Sequence, residues 1–472
     1  MARARDCSLS KTFNLRLAGK HDAAIREHLF PGDGNEAAVI ALCGRSESHG
    51  ECRLLVREIH PVPYAACTTR APDAVSWPVR WLDPLLERAD RENLSLVKFH
   101  GHPGDYRRFS QADDRSDQRL FEGIEGWLDR RLPHASVVML ADGSMFGRAV
   151  DVDAAFLPLR TIAVAGDDIR FWHSEPATIP KSFAGVGRKA AAFGEKMTAD
   201  LARLSLAIVG ASGTGSPTLE QAGRLGFDRI VTVDPQVAEI RNLNRIVNAQ
   251  RVDAADGVLK VDIARRAIEA MGLGTKVETH AYDLVTREAV EAVAGCDVII
   301  GCVDSAEGRD VLNRISTFYV VPYIDVGVGI VALPNGTIDQ VNGAIHYIQP
   351  GGSSLLSRRA YRAEQVVADA LRRRNPAQYA ALRREKYIGG ADEEAPAVVT
   401  INMMMASLGM NELLARLYPV RNASNRDHAV LRVNLTEMTM ESETEGAPCV
   451  ALARHLGSGD TYPLLGLPEL SA

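Results

Sequence analysis

The chain has 472 residues, 46% of them hydrophobic and 24% charged, with a net charge of −6. At roughly 100–200 residues per domain this predicts two or three domains with cores of their own, and it excludes a disordered chain. The negative balance excludes a general attraction to nucleic acid, and no apolar run is long enough for a membrane-spanning helix.

Seven cysteines without a Cys-x-x-Cys pair fit a reducing cytoplasm better than a disulfide framework. The basic stretch MARARDCSLSKTFNLRLAG has no apolar core, so a secretory signal is not expected. Residues 10–160 mix short strands and helices. EAAVIALCGR, CRLLVREIHPVP, LSLVKFHGH and ASVVMLA read as strands, and RSDQRLFEGIEGWLDRR has helical spacing, with Leu120, Ile124 and Leu128 on one face. Residues 161–203 read as a linker followed by an amphipathic helix. From 204 to 425 the pattern is doubly wound: LSLAIVG is a strand, GTGSPTLEQAGRLGF a helix, RIVTVD a strand, and CDVIIGCVD and VPYIDVGVG are later buried strands. The arginine-rich stretch 358–387 reads as a solvated helical face, and 426–472 as an extension.

Two constellations carry chemistry. The first is KFHGHPGDYRRFSQADD. His100 and His102 alternate on a strand, so both imidazoles point to one face. Asp113 can add a third ligand from the following loop or helix start. Three protein ligands leave the fourth tetrahedral position of a zinc ion for water, whose pKa zinc lowers to about 7. His-x-His-Pro, six residues, then Ser-x-x-Asp resembles the JAMM signature of MPN-type isopeptidases, the prokaryotic JAB domain. The resemblance implies an α/β, cytidine-deaminase-like fold and a Zn2+ site of His100, His102 and Asp113. It also implies a general base at Glu36, with Glu58 as its rival, and an oxyanion donor at Ser110.

The second is AIVGASGTGS, which follows a strand and opens a helix. Gly210, Gly213 and Gly215 permit a tight turn and close approach to phosphates, and Asp234 ends the next strand, where it can accept from ribose hydroxyls. With RNLNR (241–245), Lys260 and CVDSAEGR (302–309), the set resembles the ThiF/MoeB adenylating superfamily, which includes ubiquitin-activating enzymes. The resemblance implies a Rossmann-like domain that binds ATP and Mg2+. Asp234 would hold ribose, Asn244, Arg245 and Lys260 the phosphates, and Asp304 magnesium, with Arg309 structural. Arg188 resembles an arginine that the family can supply across a dimer, so a homodimer through this domain is expected.

The pattern departs from the family in two places. No cysteine lies between Cys302 and Cys449, so an internal thioester is not expected. Ser354, Ser357, Cys449 and Leu452 stand where two Cys-x-x-Cys pairs would build a structural zinc, and that donor set cannot close one.

Together the two resemblances imply a bifunctional cytoplasmic enzyme acting on a ubiquitin-like or sulfur-carrier protein. One site would cleave a peptide or isopeptide bond at its tail, the other adenylate the freed carboxylate, with a conjugating enzyme as a further partner. Two alternatives stay open: a JAB protease with a non-catalytic, nucleotide-binding ThiF scaffold, and a small-molecule or cofactor-pathway adenylyltransferase.

Overall fold

The computed structural model describes residues 12–471 apart from 49, 129–130, 151–154, 179–186, 334, 336 and 386–397. It separates into two compact units, one of residues 1–176 with 317–320 and 454–462, the other of the remainder.

The first unit is built on one sheet. Its strands are β1 (Thr12–Ala18), β2 (Ala38–Ser48), β3 (Glu51–Pro61), β6 (Ser95–His102), β7 (His134–Leu140), β8 (Met145–Val150), β9 (Phe156–Ala165) and β10 (Ile169–His173), while β4 (Thr69–Ala71) and β5 (Ala74–Ser76) form a separate hairpin. The order is β1-β3-β2-β6-β7-β8-β9-β10, and β1 also pairs with β9, so the sheet closes on itself and leaves few free edges.

Strand alternation then sorts the side chains. Val39, Ala41, Cys43, Val97 and Phe99 share one core with Ile25 and Leu29 of the helix Gly19–Leu29. Ala38, Ile40, Leu42 and Leu96 share another with the helices Asp83–Glu92 and Gln111–Trp127. Because both faces are covered, β6 is buried along its whole length and the first half of β2 reads as a continuous apolar run. The sheet runs past the expected domain boundary at 160: Ile162, Val164 and Ile169 are buried on β9 and β10, so the first part of the expected linker is sheet. The expected extension is likewise not a separate piece. Residues 454–462 belong to the first unit, and two further strands of the 426–472 segment belong to the second.

The second unit's sheet comprises β11 (Ser205–Val209), β12 (Arg229–Val233), β13 (Lys276–His280), β14 (Val298–Gly301), β15 (Tyr323–Ala332), β16 (Ile338–Ile348), β17 (Val430–Asn434) and β18 (Thr439–Glu443). Its order is β13-β12-β11-β14-β15-β16-β17-β18. Strands β11 to β15 run parallel and β16 to β18 antiparallel. The chain order reverses on either side of β11, which places the crevice for a ligand at the carboxyl ends of β11, β12 and β14. Among the described residues no helix is long and apolar enough to cross a membrane.

Candidate metal centre and nucleotide site

In the first unit the even positions of β6 face the 111–127 helix. His100 and His102 are 1% and 6% exposed, Asp113 9% and Glu36 5%. Nε2 of His100 lies 3.1 Å from Oδ1 of Asp113, and Nε2 of His102 lies 3.6 Å from Oδ2. Two ligands held about 2.0–2.1 Å from one tetrahedral ion stand about 3.3 Å apart, so these separations suit a shared zinc. All three ligand atoms fall within 4.8 Å of one another.

Both ring nitrogens of His100 are buried, with Nε2 facing the Asp113 carboxylate but poorly aligned for a hydrogen bond, an arrangement that two co-ligands of one ion would share. Nδ1 of His102 bonds the carbonyl of Tyr106 at 2.8 Å, which fixes the ring and leaves Nε2 for the metal. Burial, helped by the nearby Lys98 ammonium, lowers the His100 pKa to about 4, so the ring is neutral and able to ligate at pH 7.

Asp113 is placed by its helix start. Ser110 is the N-cap: its Oγ accepts from the Asp113 N–H at 3.1 Å, and its own N–H donates to Oδ2 of Asp113 at 2.6 Å. Ser110 therefore orients a ligand through its backbone N–H and its hydroxyl oxygen. Glu36 precedes β2, which pairs Ala38 with His100, and its Oε1 lies 3.9 Å from Nε2 of His102. Burial pushes its carboxyl up to about 7, against the opposing pull of His102. The rival Glu58 sits opposite Leu42 on β3 and is paired with Arg88 and His60. Phe109 and Phe146, whose rings are 5.4 Å apart and 6.3 and 6.4 Å from His100 and His102 respectively, wall the centre. Sequence spacing gave no sign of Phe146, because it reaches the site from β8.

In the second unit the glycines are required by contact. Gly210 has φ +92°, and a Cβ there would meet the Cys302 carbonyl oxygen at 2.6 Å. At Gly215 it would meet the Gly210 oxygen at 1.8 Å, and at Gly213 the Asn402 amide at 2.4 Å. A side chain at 215 must force the loop open. Overpacking of this kind costs about 1–3 kcal/mol, so Gly215→Val is expected to weaken ATP binding about 10- to 100-fold by calorimetry with the fold retained.

Asp234, 7% exposed, accepts from Ala211 N and Gln236 N at 2.9 Å each, which ties the end of β12 to the glycine loop. Gln236 in turn accepts from Lys260 Nζ at 2.5 Å and brings that buried ammonium to the same end of the sheet. Arg245 runs beside the loop, its Cδ 3.3 Å from where a Gly213 Cβ would lie, and its Nη1 donates to Asn244 Oδ1 at 3.2 Å. Asn244 and Asp304 are exposed. Arg309 donates to the buried Asp325 at 3.2 Å. Gln236 and Asn402 were not found by sequence reasoning, since an Asn inside an apolar helix reads as core. The side chain of Arg188 lies outside the described residues.

Burial pushes the Cys302 thiol up to about 12, which removes it as a nucleophile at neutral pH. In place of two zinc knuckles, Ser354 and Ser357 bond each other's backbone N–H at 2.9 and 3.2 Å, Cys449 N donates to the Gly352 oxygen, and Arg358 pairs with Glu445 at 2.9 Å.

Comparison with known proteins follows the same division. Residues 186–448 match the ThiF family, and residues 20–153 match the prokaryotic homologs of the JAB domain. Ubiquitin-like modifier-activating enzyme 5 of Drosophila willistoni is 28% identical over 162 residues, covering 32% of this chain and 37% of that enzyme. The Culex quinquefasciatus enzyme of the same name is 27% identical over 159 residues, covering 31% and 37%. The chain thus spans little more than a third of the length of these curated relatives. Among solved structures, E. coli MccB with ATP gives a TM-score of 0.42 at 14% identity, over 57% of this chain and 73% of that one. The microcin C7 biosynthetic enzyme MccB in complex with N-formylated MccA gives 0.44 at 15% identity, over 58% and 77%. With more than half of its length matched by one family, the chain belongs to the ThiF family and carries a JAB-type domain ahead of its ThiF domain.

Proposed function

We propose that the protein is a bifunctional cytoplasmic enzyme that trims the tail of a ubiquitin-like or sulfur-carrier protein and then adenylates the exposed carboxylate. The observation that carries the first half is the buried grouping of His100, His102 and Asp113 with Glu36 beside it. Zinc, when bound, supplies a water acidified into the neutral range. Glu36 takes a proton from the attacking water and passes it to the leaving amine, while the Ser110 hydroxyl donates to the oxyanion that develops on the scissile carbonyl.

In the second half the tail's carboxylate oxygen bonds the α-phosphorus of ATP, and pyrophosphate leaves. The glycine loop and Asp234 hold the nucleotide, Asn244 contacts the phosphates, and Arg245 and Lys260 neutralise the charge that builds between two anions. Mg2+, held through Asp304, supplies further neutralisation. The acyl adenylate then goes to a thiol or amine of another protein, such as a conjugating enzyme, because the long cysteine-free stretch after Cys302 offers no internal acceptor. The ThiF domain works as a homodimer.

Two measurements on the purified chain test this. Metal analysis should find zinc at one per chain, with cleavage of a ubiquitin-like fusion after its tail. Label should exchange between pyrophosphate and ATP only when a free tail carboxylate is present. Asp304→Ala should abolish the magnesium-dependent exchange and leave cleavage at the wild-type rate; equal loss of both would refute two independent sites.

A further inference from the structure

Below the two histidines the same face of β6 carries a lysine. Leu96, Lys98, His100 and His102 share that face and are all buried. Opposite them the helix buries Asp113, Asp117, Phe121 and Ile124. Two strand residues advance about 6.6 Å and four helix residues about 6 Å, so a strand and a helix packed face to face stay in step for several rungs. The rungs are visible. His100 meets Asp113; Lys98 forms an ion pair with Asp117; Leu96, Phe121 and Ile124 close the ladder as apolar core.

The middle rung is unusual chemistry for its position. Asp117 is 0% exposed and the Lys98 side chain 5%. Arg148 of β8 completes it, with Nε and Nη2 donating to Asp117 Oδ2 at 3.2 and 2.8 Å and Nη1 to Asp114. Its guanidinium lies over the rings of Phe109 and Phe156 at 3.8 and 4.0 Å. Burying such a cluster is costly, and apolar side chains of similar volume would pack the rung at least as stably. An ion pair supplies what apolar contact does not, a fixed register. Sliding the helix by one turn, or the strand by two residues, leaves buried charges without partners.

We propose that Lys98, Asp117 and Arg148 form a positioning latch that sets the 111–127 helix against β6, so that Asp113 stands at ligand distance from His100 before any metal arrives. This rests on the metal-site reading given above. None of the three touches metal or substrate; they act through Asp113 and His100.

The test is zinc affinity of the full chain, prepared metal-free and titrated against a chromophoric chelator, with the thermal midpoint of the metal-free protein measured alongside. Lys98→Met and Asp117→Asn are each expected to weaken zinc binding about 10- to 100-fold, the usual effect of losing a partner that orients a ligand. The double variant K98M/D117L removes the buried Lys98–Asp117 pair together and leaves Arg148 its pairing with Asp114. It should recover the thermal midpoint but not the affinity, and it carries the test if the single variants do not fold. Wild-type affinity in the single variants, or recovery of both quantities in the double variant, would overturn the latch. A wild-type chain that takes up no zinc would overturn the metal reading and the latch with it, a result distinct from tight binding that is indifferent to Lys98 and Asp117.

Discussion

Glu36→Gln is expected to lower cleavage by about 10²–10⁴-fold, the range for removing a general base, while the protein keeps its zinc. The geometry separates the two roles. His100, His102 and Asp113 supply three ligand atoms within reach of one ion, whereas the Glu36 carboxylate stands 3.9 Å from His102 Nε2 and falls outside that group. Glutamine preserves the shape and removes the basicity. Metal lost together with activity would make Glu36 a ligand and sink the assignment. A second signature follows from burial. In the folded, metal-free chain the Glu36 carboxyl is raised to about 7, above its value in an unfolded chain. The folded state therefore holds a proton that the unfolded state has released, and ionisation opposes folding as pH rises from about 4.5 to 7. Glutamine has no such penalty. Metal-free Glu36→Gln should be more stable than metal-free wild type at pH 8 and no more stable at pH 4, measured by thermal unfolding.

How far the sequence disclosed these sites depends on whether the contributing residues are local. His100, His102, Ser110 and Asp113 come from one strand–loop–helix passage: strand alternation put the two histidines on one face, and the resemblance to the JAMM signature supplied Ser110 and Asp113. The same holds for the glycine loop, which one strand and one helix define. The residues that were missed arrive from elsewhere in the fold. Phe146 comes from β8, Gln236 joins Lys260 to Asp234 through a side-chain bond, and Asn402 reaches Gly213 from a helix nearly two hundred residues later. No periodicity encodes such meetings. The linker was misjudged for a related reason: the Pro- and Gly-containing stretch near 173–187 set the expected boundary, yet β9 is held in the sheet by pairing with β1, far away in sequence. Lys98 was passed over because a lysine in an apolar strand looks like an interruption until its partner on the facing helix is seen.

Lys260→Ala is expected to lower ATP–pyrophosphate exchange by about 10²–10³-fold, the loss typical when one preorganised donor is removed from a developing charge. Lys260 opens the helix Lys260–Ala270, so the partial positive charge of the helix terminus adds to its ammonium. Only 5% of it is exposed, and Nζ is held by Gln236, whose backbone N–H is in turn fixed by Asp234. The ammonium is therefore positioned before ATP binds and spends no reorganisation energy when the carboxylate attacks. Alanine leaves the Gln236 carbonyl without its donor at a cost of about 1–3 kcal/mol, so a modest fall in thermal midpoint should accompany the kinetic loss. The two effects can be told apart at a temperature where the variant is fully folded. If exchange there stays close to the wild-type rate, the lysine is only a prop for Gln236. If exchange collapses while cleavage at the JAB domain keeps its rate, the charge acts on the phosphates, and the two chemistries of this chain are independent.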